Sequence, residues 1–171
     1  VQAFQGLVLD LVVEEEERLS AWRQRLRDAL GIDARLIVDM IPAVELVIGP
    51  QPPVAELPLT EAKTRFHAAF RRFLGVFATE EHPLTLFLDD LQWIDAASLE
   101  LLADVLPSPD TRHLLAVGAY RDNEVTSAHP LMMALSWMRR TTLPVRDLVL
   151  TPLSREHLGR LVADTMRRPR E

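Results

Sequence analysis

Leu84-Thr85-Leu86-Phe87-Leu88-Asp89-Asp90 is the stretch on which the reading of this chain turns. A short, mostly apolar run follows His82-Pro83 and ends abruptly in two adjacent carboxylates. Its length and flanks are those of a strand rather than a helix. Beyond it, Asp95 to Leu106 reads as a helix capped by Asp95, with Leu99, Leu102, Ala103 and Leu106 facing inward. Pro107 to Asp110 is a turn. A second apolar run, His113 to Ala119, closes on Tyr120-Arg121-Asp122. His129-Pro130 opens another helix, because proline suits a first turn. Val145 to Leu150 reads as a third strand, and Ser154 caps a last helix that Pro169 should end.

Strand and helix therefore alternate through the second half. Two of the strands are apolar almost throughout, the mark of a parallel sheet covered on both faces. Ligands of such sheets sit beyond the carboxyl ends of the strands, where Asp89, Asp90 and Arg121 all fall.

Before the first strand, Thr60 to Ala78 reads as a long helix. Thr60 is its expected cap, Glu61 sits at the positive end of its dipole, and Phe66, Phe70, Phe73 and Phe77 form one core-facing stripe. Gly49 to Pro58 carries Pro50, Pro52, Pro53 and Pro58, so it is an extended connector. Upstream, Leu19, Trp22, Leu26 and Leu30 recur at helical spacing until Gly31 stops the helix. Leu7 to Val13 fits helix or buried strand equally. Ala34 to Ile41, broken by Pro42, and Ala43 to Ile48 are short apolar stretches.

The chain has 171 residues, with 48% hydrophobic and 26% charged residues and a net charge of -6. That is room for one sizeable core, and the acidic balance argues against direct nucleic-acid binding. Without cysteine, disulfides and thiolate metal sites are excluded, and a cytoplasmic setting is expected. No apolar run is long enough to span a bilayer. The acidic run Glu14 to Glu17, and Arg155, Arg160, Arg167, Arg168 and Arg170 near the other end, read as solvated helix surface. The chain opens on Val1 and closes on Glu171 in a charged stretch, so it reads as a piece of something longer.

Two carboxylates at an apolar strand end repel each other and need a cation or donors nearby. One can hold the magnesium of MgATP, usually through water, and the next can orient an attacking water. Equally, Asp90 simply ends the strand and caps a turn. Arg121, at the end of the neighbouring strand, can reach a terminal phosphate as a sensor, or pair locally with Asp122 or Glu124. With the Asp89-Asp90 strand beside it, the sensor reading is preferred. A phosphate loop of the form G-x-x-x-x-G-K-[ST] is missing: none of the six glycines belongs to one, and Lys63 is the only lysine. No H-E-x-x-H or G-x-S-x-G motif is present.

Leu86 to Asp95 resembles the acidic-strand motif of the STAND and AAA-type ATPase modules, and Val117 to Val125 resembles their sensor strand. Glu45 to Val54, with Thr60-Glu61-Ala62 and Arg65-Phe66, is similar to the ATPase module of large bacterial signalling proteins. Those carry a serine/threonine kinase domain before the module, and GAF and histidine-kinase domains after it. The resemblance implies an α/β partial P-loop NTPase fold, with parallel strands flanked by helices. A helical portion with the connector would occupy residues 1–59, and the C-terminal part of the ATPase core residues 60–171. It makes Asp89 the magnesium-side carboxylate, Asp90 the water-orienting catalytic one and Arg121 the sensor arginine, with Gln92, Trp93 and Asp95 packing or capping. ATP and magnesium would be cofactors of the complete parent, and the neighbouring kinase and sensor domains of the same polypeptide its partners. The piece alone is expected to be inactive. Two other roles stay open: a STAND-type transcriptional regulator, and a scaffold or docking module without enzymatic activity.

Overall fold

The computed structural model describes residues 2–55, 57–141 and 143–166. The N-terminal part is helical: α1 (Gln2–Val12), α2 (Glu16–Leu30), α3 (Ala34–Met40) and α4 (Ala43–Ile48). Leu7 to Val13, which periodicity left undecided, is thus mostly helix. Gly31 ends α2 with φ 51°, a left-handed value that glycine adopts without a Cβ penalty. Pro42, which has no N–H to donate, separates α3 from α4.

The described residues of the proline segment carry no regular structure up to Pro58, and α5 (Leu59–Phe77) follows. Pro58 occupies the N-cap position, so Thr60 lies inside the helix and is not its cap. The cause is local: proline presets φ, and its carbonyl already accepts from Ala62 N–H at 2.9 Å. The phenylalanine stripe is as expected. Phe70, Phe73 and Phe77 are buried, Phe66 partly so, and successive rings stack or meet edge-on at 5.2–6.1 Å. Helix α5 packs on α2, α3 and α6. Ionic bonds fasten it further. Asp33 takes Arg65 and Arg72 together, and Arg72 also donates to Ala29 O. In the same way Arg23 and Arg27 of α2 donate to the carbonyls of Val47 and Ile48 in α4. The apolar core is continuous from Val8 through Phe77 to Val105.

Strand β1 (Leu84–Leu88) leads through a 3₁₀ turn (Leu91–Trp93) into α6 (Ala96–Val105). A second such turn (Pro109–Thr111) precedes strand β2 (Leu114–Gly118). The two strands pair in parallel, Leu84 opposite Leu114 and Leu88 opposite Gly118. Another 3₁₀ turn (Asp122–Glu124), then α7 (Pro130–Met138) and α8 (Arg155–Met166), complete the described chain. Asp95 caps α6, its carboxylate accepting Ser98 N–H at 2.9 Å, and Ser154 caps α8. The end of α8 at Pro169 falls outside the described residues, as do Arg167, Arg168 and Arg170. Along α6 the buried side chains are Leu99 and Val105; Leu102, Ala103 and Leu106 are half-covered.

The architecture is α/β, a partial P-loop fold with parallel strands flanked by helices. Two expectations need correction. The strands are not covered on both faces. Leu84, Leu86, Leu88, Leu114 and Ala116 are half-buried, while Thr85, Phe87, Leu115 and Val117 are exposed. Side chains alternate along a strand, and the core touches only one of the two faces. Nor is Val145 to Leu150 a strand. Among the described residues it runs without strand pairing, Leu148, Val149 and Leu150 stand 80–86% exposed, and the Asp147 carboxylate accepts from Arg139 at 2.6 Å. A strand exists only against a partner, and none among the described residues lies beside this segment.

Candidate functional site

The parallel register brings the ends of β1 and β2 level, and this sets the site. Ala119 N–H donates to Leu88 O at 2.8 Å, and Leu91 N–H to Ala119 O at 2.9 Å, so the pairing continues into both loops. Asp90 then turns back with φ 52° and ψ 42°, the only non-glycine residue at positive φ among those described. Aspartate tolerates this left-handed conformation better than most residues, yet it still costs about 1 kcal/mol. The turn lets Leu91 lie over Gly118, where any Cβ would collide with the Leu91 side chain.

Asp89, Asp90 and Arg121 are thereby gathered at one end of the sheet, as the sequence indicated. The Asp90 carboxylate is 3.9 Å from Arg121 Nε. Arg121 Nη1 also donates to Glu124 at 3.1 Å, so the local pairing and the cross-strand approach coexist. Asp89 Oδ1 accepts the backbone N–H of Asp90 at 2.9 Å. These groups are solvated: Asp90 is 55% and Arg121 66% exposed at the side chain. Their strand end is therefore fixed by backbone pairing rather than by burial.

The resemblance implies packing or capping for Gln92, and its position says more. It is 6% exposed, its Nε2 donates to Asp90 Oδ1 at 2.9 Å, and its Oε1 accepts from Arg121 N–H at 3.3 Å. The signal in the sequence was an amide two places after the second carboxylate, inside an otherwise apolar Leu-Gln-Trp-Ile run. Trp93 does not pack; it is 77% exposed. Asp95 caps as expected, and the hydroxyl and N–H of Ser98 hold its carboxyl below the usual range.

A magnesium ion is commonly held by one or two carboxylates together with waters and substrate phosphates. Asp89 and Asp90 match that donor set. Among the described residues no group of three or more acidic or histidine side chains forms a self-sufficient metal cage.

The parallel strand pair flanked by helices is the architecture of a partial P-loop NTPase fold. The sequence model of the AAA ATPase domain matches residues 1–117, and the chain belongs to that family. Domains of this family in general handle nucleotide and magnesium. The match covers Asp89 and Asp90 and ends short of Arg121. The chain is also 36% identical over 108 residues to a hybrid signal transduction histidine kinase G of Dictyostelium discoideum. The similarity covers 63% of this chain and 3% of that protein, so the chain spans a small part of its relative. No solved structure matches. An ATPase module of a signalling protein is what these likenesses support. No described helix is long and apolar enough to cross a membrane.

Proposed function

We propose that this chain is part of an ATP-dependent switch module in a multidomain signalling kinase, of the STAND type and the bacterial architecture that the sequence resembles. ATP binding and slow hydrolysis in the complete protein would shift the arrangement of attached kinase and sensor domains. The observation that carries the reading is the juxtaposition of Asp90 and Arg121 at aligned parallel strand ends, 3.9 Å apart. MgATP would supply the bridging cation and the scissile phosphate. Asp89 would hold the cation through water, Asp90 would orient the attacking water, and Arg121 would sense the terminal phosphate. The phosphate-cradling loop would come from outside these 171 residues, since no such motif stands among them. We place the helical portion and connector at residues 1–59, the ATPase core from residue 60, and the whole in the cytoplasm.

The test is made in the full-length protein. Asp90→Asn should slow hydrolysis about a hundredfold while sparing MgATP affinity. Asp89→Asn should weaken the magnesium-dependent part of binding as well. Equal loss of binding in both variants would mean that these roles are wrongly assigned. Full binding and hydrolysis in both would show that neither carboxylate serves the reaction, and a wild type that neither binds nor hydrolyses ATP would leave the scaffold reading.

A further inference from the structure

We propose that Gln92 is a positioning residue whose carboxamide locks the Asp90 carboxylate to the backbone of Arg121, and so fixes that carboxylate on strand ends that backbone pairing has already aligned. The consequence for hydrolysis rests on the ATPase reading above; the lock itself does not.

The two bonds are of opposite sense. A carboxylate only accepts and a backbone N–H only donates, so Gln92 must present its NH₂ to Asp90 and its carbonyl to Arg121. This fixes the orientation of the amide. Glutamate in its place has no donor for Asp90, lysine no acceptor for Arg121, and an aliphatic chain neither. Gln92 and Thr111 are the buried polar residues among those described. The Thr111 hydroxyl serves its own turn, donating to the carbonyl of Val105 at 2.6 Å. Gln92, in contrast, spans 29 residues of sequence to reach Arg121.

What it secures is otherwise weakly held. Asp90 sits in a left-handed conformation and is exposed, and the Arg121 guanidinium is exposed too. An exposed ion pair at 3.9 Å is screened by water and leaves both side chains free to rotate. The buried amide supplies the fixed point: it places a carboxylate oxygen and the Arg121 Cα at constant separation.

The experiment compares Gln92→Met and Gln92→Glu in the full-length protein. Gln92→Met keeps the length and removes donor and acceptor. It should lower kcat for ATP hydrolysis about tenfold with KM for MgATP within about twofold. Added to Asp90→Asn it should cost nothing more, because the group it positions is already lost. Gln92→Glu should lower kcat at least as far. A kcat within about twofold of wild type in Gln92→Met, or a loss that multiplies with that of Asp90→Asn, would overturn the positioning role. Single-residue hydrogen exchange at the Arg121 amide reads the lock without hydrolysis. It should accelerate in Gln92→Met and remain slow in Gln92→Glu, which keeps the acceptor. Equal exchange in all three proteins would show that no lock exists. Should the wild type hydrolyse no ATP, the ATPase reading fails, and the exchange rates still decide the lock.

Discussion

Asp90 and Arg121 face each other across the ends of two parallel strands, carboxylate to guanidinium, at 3.9 Å. Both are solvated, and Asp89 lies beside them with its own carboxylate. Two carboxylates repel a triphosphate unless a cation intervenes, and one exposed arginine does not outweigh them. Most of the donors to a triphosphate come from a phosphate loop, and no such motif stands in these residues. The chain by itself is therefore expected to bind MgATP weakly or not at all. Titration calorimetry on the isolated chain checks this, and micromolar affinity would contradict it.

Gly75 lets α5 approach a neighbouring turn closely. It lies on α5 where the helix meets the turn before β2, and a Cβ there would sit 2.9 Å from the backbone carbonyl oxygen of Asp110. Alanine is the better helix former by about 1 kcal/mol, but a backbone atom cannot rotate away as a side chain can. Gly75→Ala should therefore destabilise the chain by about 1–3 kcal/mol despite its propensity. Denaturant unfolding measures it; a stabilised variant would show that α5 and the turn can move apart freely.

His67 of α5 gives the fold a pH dependence. Burial pushes its pKa below the ordinary 6.5, and Lys63 and Arg71 act in the same direction. Asp104, 3.6 Å away, and Glu100 act against them. In the unfolded chain the imidazole takes up its proton near pH 6.5, and in the fold only at lower pH. The unfolded state thus binds more protons in that interval, and stability falls as pH drops below 6.5, until the folded pKa is passed. Unfolding free energies measured from pH 7.5 down to 5 should decline more steeply in the wild type than in His67→Gln. Parallel curves would mean that Asp104 compensates the burial fully.

Val145 to Leu150 should make the isolated chain associate. Leu148, Val149 and Leu150 project into solvent, and among the described residues the segment's backbone has no strand partner. Such a segment is a ready template for pairing with another chain. Light scattering of the purified chain should rise with concentration, and Val149→Lys should reduce it several-fold. A monomeric wild type that unfolds cooperatively would refute the argument.

Local chemistry determined much of this protein before any folding was considered. Four phenylalanines at helical spacing suffice for α5, because one stripe of a helix must be buried. Asp95 and Ser154 mark helix starts, because a cap bonds within its own turn. The two strands were legible from their apolar runs and their abrupt polar ends, and the motif beginning at Leu86 pointed to the acidic strand. The Pro58 cap was local as well, but proline and threonine compete for that position and the sequence does not rank them.

Tertiary structure alone decided the rest. Whether Val145 to Leu150 forms a strand depends on a neighbour, since strand hydrogen bonds run between segments and not within one. Which face of β1 and β2 is covered depends on where α5 and α6 come to lie, and the near-continuous apolar runs suit either outcome. The pairing of Gln92 with Arg121 spans residues that no local pattern connects. It arises only when parallel pairing sets Leu88 opposite Gly118 and brings the two loops to the same level.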